Sequence, residues 1–361
     1  MSLSLPTPRE EAWRWSDLSA LPALSVATAT KLPADGDSHW FGKGPRLLFI
    51  DGRLDEARST ASRLRIGPTD TASAHPLGKL ATGPGWTLVL PKDASTPPGG
   101  PIEIVHVATG GANHLPARII LGEDAQASIV ETYVGDGWAN RLTVIEMGRS
   151  ARLMRAIRIA QGSGFTSLRD EAHLGAGASL VTTLLVAGQG SSRIDGEIIL
   201  DGPGAFAEHG GALLARDDQR HDAAIVVRHV REEGTSRQLW RAVADDKATA
   251  SMAARVEVAR DAQKTDGEQS LRGLMLKRTA TINLKPELEI FADDVKCAHG
   301  ATVGELDSQA LFYMTSRGIT PDRARALLTQ AFIADALSRI GDEPARDAFQ
   351  AEAERWLEAV A

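Results

Sequence analysis

From about residue 101 to 295 the chain runs in short apolar or alternating stretches separated by Gly, Asp and Asn: PIEIVHV, ARIILG, ASIVETYV, RLTVIEM, ARLMRAIRIA, SLVTTLLVA, GEIIL, AAIVVRHV, RQLWRAV, ARVEVA, ATINL and ELEIF. Runs of this length and spacing predict a mainly β domain. In ARVEVA, Val256 and Val258 alternate with Arg255 and Glu257, and in RQLWRAV the apolar Leu239 and Val243 bracket Trp240. One face of each strand is thus marked for burial. Alternation accommodates a sandwich, a barrel or a β-solenoid, and no strict hexapeptide-type repeat selects among them.

The flanks follow other periods. Glu10 to Leu24 predicts a helix with Trp13, Leu18 and Leu21 facing inward, and GPRLLFIDGRL (44–54) predicts a strand closed by a turn at Asp51-Gly52. KDASTPPGGP (92–101) gathers turn formers and marks a boundary. After Val303 the period becomes helical. Thr320-Pro321-Asp322 reads as a helix start, followed by a stripe of Ala324, Leu327, Leu328, Ala331 and Phe332, with Gly341 as its end. A last helix from about Glu343 places Phe349, Ala353, Trp356 and Val360 on one side.

Composition narrows the function classes. With 40 basic and 47 acidic residues the formal charge is −7, spread along the chain, so a nucleic-acid footprint is lacking. A single cysteine excludes an internal disulfide and fits a reducing compartment, with the cytoplasm as the expected location. Arg9, Glu10 and Glu11 interrupt the start where a signal peptide needs an apolar core. No apolar run approaches the roughly 18 to 20 residues of a bilayer span, and neither secretion nor a membrane partner is expected. Gly175-Ala176-Gly177 and Gly188-Gln189-Gly190 lack the continuation of a phosphate-binding loop and read as turns.

The chemistry concentrates at Cys297-Ala298-His299. On a strand the two side chains share a face about 6.5 to 7 Å apart, too far for a thiol and its base but suited to neighbouring ligands of one cation. Two ligands fall short of the four or so that a tetrahedral site or a cluster needs. The remainder would come from another chain or from Asp293, Asp294, Glu305 and Asp307. A small buried thiol beside an ordinary histidine accounts for the pair equally well. Asp293-Asp294 also reads as a turn. His106, His114, His173, His209, His221 and His229 stand singly, as surface or hydrogen-bonded residues.

The blocks RDAQKTDGEQSLRGLML (260–276), KPELEIFADDVKCAHGATVGELD (285–307) and ALFYMTSRGIT (310–320), with RHV and RQLWRAV before them, resemble the C-terminal half of the SufB/SufD family of the SUF iron–sulfur cluster assembly system. KCAHGATVG is the most specific segment, and the single cysteine is similar to the SufD side. The resemblance implies a right-handed parallel β-helix over 96–302, a mixed α/β region over 1–95, and C-terminal helices over 303–361 that engage the ATPase SufC. It further implies a non-enzymatic subunit that pairs with a SufB-like subunit through the β-helix. His299 would face a SufB cysteine where a transient iron–sulfur cluster assembles, with Cys297 beside it as second ligand or interface thiol. Asp293, Asp294 and Lys296 match the family pattern as turn and interface. Leu327, Leu328 and Phe332, with Phe312 and Tyr313, would dock SufC. Self-association of the isolated chain, a purely structural subunit without a cluster ligand, and a β-helix carbohydrate-active enzyme are the alternatives.

Overall fold

The computed structural model describes residues 4–29, 36–60, 64–96 and 99–359. A short helix α1 (Leu21–Val26) precedes four strands, β1 (Arg46–Ile50), β2 (Arg53–Leu54), β3 (Leu64–Pro68) and β4 (Pro84–Leu90). Two long strands follow, β5 (Ile102–Leu121) and β6 (Gln126–Met147). Eleven shorter ones complete the stack: β7 (Arg152–Ile159), β8 (Ser163–Leu174), β9 (Ser179–Val186), β10 (Ser191–Leu200), β11 (Phe206–Ala215), β12 (Arg220–His229), β13 (Thr235–Ala244), β14 (Thr249–Val258), β15 (Asp266–Met275), β16 (Thr281–Ile290) and β17 (Lys296–Gly304). Helices α2 (Ser308–Ser316), α3 (Pro321–Leu337) and α4 (Glu343–Glu358) end the chain. No helix among the described residues is long and apolar enough to cross a membrane.

Pairing is parallel and skips one strand. β7, β9, β11, β13, β15 and β17 form one sheet, and β8, β10, β12, β14 and β16 the other. β6 bends to serve both, pairing first with β7 and then with β8. The result is a parallel β-solenoid of about 7 turns, the fold class that the family resemblance implies. Partners lie one coil apart, from 26 positions (Phe165↔Ser191) to 32 (Thr249↔Thr281). β1 and β4 pair with the two halves of β5, so residues before 96 supply the first coil.

Corners carry a repeat that a strand-by-strand reading passes over. Gly122-Glu123-Asp124-Ala125, Gly148-Arg149-Ser150-Ala151, Gly175-Ala176-Gly177-Ala178 and Gly202-Pro203-Gly204-Ala205 recur every 26 or 27 residues. The third residue is left-handed each time, with φ of 56°, 54°, 63° and 67°. The closing alanine is fully buried. Coils touch here: a Cβ on Gly202 would lie 2.0 Å from the Ala176 nitrogen. Gly175-Ala176-Gly177, read as a turn, is one of these corners, and Gly188-Gln189-Gly190 forms a bend.

The interior is aliphatic towards both sheets, with Ile129, Leu153, Ile157, Leu168, Leu180 and Ile194 in one buried cluster. Among them sits a charged island. The Arg155 guanidinium on β7 donates to Glu131 on β6 and Asp170 on β8, at 2.6 Å each. Burial opposes ionisation of Glu131, but the Arg155 guanidinium outweighs it and holds its carboxyl well below the usual range. β8, β11, β15 and β17 are absent from the apolar runs of the sequence because polar residues interrupt them: Asp170, His209 and Gln269 are buried, and His299 is exposed on the last strand. The fold also places singly occurring histidines inside. His106, His209, His221 and His229 are buried, and burial pushes their pKa values down to about 4, 3, 4 and 4. His221 pairs with Ser192 and His229 with Ser236, while neither ring nitrogen of His106 has a hydrogen-bond partner.

The predicted helix over Glu10 to Leu24 is broken. A 3₁₀ turn at Glu11–Trp13 is followed by a bend in which the Asp17 carboxylate accepts from the Ser19 N–H, and the helix restarts only at Leu21. Pro22 cannot continue a helix from its N-terminal side but suits a first turn. Trp13, Leu18 and Leu21 are nonetheless buried, against Leu77, Trp138 and Phe165. The strand over 44–54 and its Asp51-Gly52 turn are present as β1 and β2, with both turn residues at positive φ.

Helices α3 and α4 pack on the outside of the first sheet, where Ala156, Leu185, Leu214 and Val243 meet Ile333, Leu337, Phe349 and Trp356. α3 buries Ala324, Thr329, Ile333, Ala336 and Leu337. Leu327, Leu328 and Phe332 of the predicted stripe are only half-buried and Ala331 is exposed. Phe332 packs at the margin of that core, with the Arg241 guanidinium over its ring. α4 buries Phe349, Ala353 and Trp356 as its spacing predicts, while Val360 lies outside the described residues.

Candidate functional site

The two ends of the solenoid differ. At the first coil, β2 folds back antiparallel on β1, and β3 on β4. At the last coil, β16 and β17 pair only inward, with β14 and β15. Open strand edges invite pairing and are usually guarded by charge or proline. β16 is guarded in this way by Lys285, Pro286, Glu287 and Glu289. From Cys297 to Gly304, β17 has no Asp, Glu, Lys or Arg. A Cβ at Gly300 would meet nothing within 4 Å.

Cys297 and His299 lie on one face of β17, in register with Gly267 and Gln269 of β15. Leu271 continues that face into the solenoid interior. His299 is exposed and lines an open cleft of about 300 Å³ with Gln269, Leu271, Arg272 and Thr302. Larger clefts lie elsewhere, among them one of about 550 Å³ between α2, α3 and the solenoid. His299 alone among the residues read as chemical is both exposed and on the open edge.

Cys297 is half-buried against a satellite cluster of Val256, Val258, Ala262 and Ala292. Burial pushes its thiol up; a hydrogen bond from the Gly267 backbone opposes the shift and the Asp266 carboxylate adds to it. The thiol stays protonated at neutral pH until a metal or base takes its proton. Two of the four carboxylates considered as further ligands are engaged elsewhere, and the other two lie in a bend before β17. Asp307 caps α2 by accepting from Gln309 N–H and Glu305 pairs with Arg278, while Asp293 and Asp294 sit in a bend held through the Asp294 backbone, whose carbonyl accepts from Lys264 N–H and whose N–H donates to the Gln263 side chain. Among the described residues no three His, Cys, Asp or Glu side chains converge as a metal site. This chain presents at most half of one.

The other sequence-predicted surface is α2, which follows β17 after three residues. It buries no side chain, and Phe312 and Tyr313 are 74% and 61% exposed. Arg317 stands over the Tyr313 ring. Leu327, Leu328 and Phe332 on α3, the next helix, are half-buried.

Fold and site together define a β-solenoid subunit with one finished end, one open end that offers a histidine and a thiol, and an exposed aromatic helix beside it. Residues 106–332 match the family described as "SUF system FeS cluster assembly, SufBD core domain", and the chain belongs to that family. It is 27% identical over 365 residues to the iron–sulfur cluster assembly protein SufD of Escherichia coli, covering 94% of this chain and 86% of that one. A SufBD family iron–sulfur cluster assembly protein of Synechocystis sp. is 25% identical over 385 residues, covering 94% and 84%. The chloroplastic protein ABCI7 of Arabidopsis thaliana is 31% identical over 242 residues, covering 63% and 50%.

Proposed function

We propose that this chain is the SufD-type arm of a SufB–SufC–SufD scaffold, a cytoplasmic, non-enzymatic subunit on which an iron–sulfur cluster is built as cargo. The observation that carries the reading is the unguarded β17 edge with His299 exposed on it. A SufB-like strand adding to that edge would continue the sheet across both subunits and satisfy the free backbone groups. His299 would then offer an imidazole lone pair to iron at the seam, and the partner would complete the ligand set. Cys297 would join only after losing its proton to the metal, and otherwise packs as a small hydrophobe. The exposed Phe312 and Tyr313, together with Leu327, Leu328 and Phe332, suit an apolar patch on a SufC-like ATPase. Because only three residues separate α2 from β17, movement of a docked ATPase would be felt at the seam.

Anaerobic reconstitution of the co-expressed three-subunit complex tests the reading. His299→Ala is expected to lose bound iron, sulfide and cluster absorbance while the complex stays intact by gel filtration. Full retention in both His299→Ala and Cys297→Ala would leave the partner as sole holder of the cluster and this chain as a structural, ATPase-coupling arm.

A further inference from the structure

Gln269 is 1% exposed, yet neither its amide nitrogen nor its carbonyl oxygen has a hydrogen-bond partner. One rung inward, its register partner Gln238 is equally buried; its Nε2 donates to the Arg255 backbone carbonyl at 3.1 Å, and its Oε1 has no partner. One rung outward is His299, in the same cleft as Gln269. Unmade bonds of buried amides are costly, and a leucine would fill either position without that cost.

The orientation of each group follows from its neighbour. The Arg255 carbonyl can only accept, so Gln238 must donate to it through nitrogen and is left with an oxygen to offer. Gln269 can satisfy that oxygen only through its own nitrogen, which would leave its oxygen for His299, its neighbour in the cleft. An amide oxygen accepts, so the imidazole must present N–H on that side. We infer that Gln238 and Gln269 form a hydrogen-bond relay, anchored on the Arg255 carbonyl, that holds His299 in one neutral tautomer with the lone pair of its other ring nitrogen turned to the open edge. Both glutamines are positioning residues. An imidazole prepared in this way is ready to ligate a metal, since ligating histidines generally donate their second N–H to a fixed acceptor. The relay rests on the register of the three residues and on the buried amide groups that are otherwise unpaired; its use in cluster assembly rests on the function proposed above.

Ring ¹⁵N spectroscopy of histidine-labelled full-length chain at pH 8.5, above the range in which free imidazole titrates, reads the tautomer directly. His299→Ala assigns the signals. Wild type is expected to show one protonated and one lone-pair nitrogen. Gln269→Leu should bring the two resonances together as the tautomers mix, with the thermal midpoint unchanged or raised, and Gln238→Leu should shift them in the same sense. Gln269→Glu, which still accepts from the imidazole, should keep the wild-type pattern. Identical His299 resonances in wild type and Gln269→Leu, or an already averaged pair in wild type, would overturn the relay. This result is independent of reconstitution: a single tautomer together with a cluster retained in His299→Ala would uphold the relay and reject the ligand role.

Discussion

Arg193 on β10 and Ser16 near the chain start, 177 positions apart, are joined by a 2.9 Å hydrogen bond from guanidinium to hydroxyl. Ser16 in turn donates to the Asp222 carboxylate, Arg193 also pairs with Asp195 and Asp222, and the Trp13 ring lies 4.5 Å from the guanidinium. The first residues are thereby latched to the outside of the second sheet. Ser16→Ala removes one buried partner of this group and is expected to cost about 1–3 kcal/mol. The loss should appear locally, as faster amide exchange over residues 10–26, before any change in the solenoid strands.

Arg155 holds two carboxylates inside the solenoid. Replacing it with alanine leaves Glu131 and Asp170 buried without their cation, and a loss of about 3–5 kcal/mol follows. Urea denaturation would read this as a lower midpoint at unchanged slope. An unchanged midpoint would mean that water reaches the island.

Acid should unfold the chain through its histidines. His106, His209, His221 and His229 have folded-state pKa values of about 3 to 4, below the ordinary value of 6.5. Between those limits the unfolded chain binds protons that the folded chain refuses, so stability falls as pH falls from 6.5 towards 4. Each buried histidine contributes at most about 1.4 kcal/mol per pH unit. Urea midpoints at pH 7, 6 and 5 should decline in steps, and His221→Asn should flatten the decline by about one histidine's share.

Corner packing sets a steric limit. Gly202→Ala drives a methyl group into the backbone of the preceding coil and is expected to destabilise by about 1–3 kcal/mol. Gly204→Ala meets nothing within 4 Å and carries only the strain of its positive φ, about 1–2 kcal/mol. Calorimetry of the pair should therefore show a loss in both, and a Gly204 variant clearly worse than the Gly202 variant would contradict the close stacking of coils.

Phe312 and Tyr313 contribute little to the fold from their exposed positions. Truncating both to alanine should leave stability within about 0.5 kcal/mol. If they anchor an ATPase subunit, its affinity should drop about tenfold or more, measurable by calorimetric titration with a SufC-type protein. Equal affinity would move the docking surface away from α2.

The sequence by itself determined the strand-rich middle, the helical end, and a histidine two places from the only thiol. These are local properties: alternation marks a face, and the 320–337 spacing marks a helix. The KCAHGATVG resemblance pointed to the solenoid that alternation left open. Only the tertiary structure decided the rest. Which strands stack depends on contacts one coil, some thirty residues, away, and the Gly-x-x-Ala corners acquire meaning only when a neighbouring coil lies against them. β8 reads as polar because the partner of Asp170, Arg155, comes from another strand, and β15 because Gln269 is buried only once the neighbouring coils stack around it. The α3 stripe was misplaced by roughly one residue's turn because the sheet chose the buried face. No property of CAHG as a string shows that β17 is last in its stack, and its position at an unpaired edge is what makes His299 available.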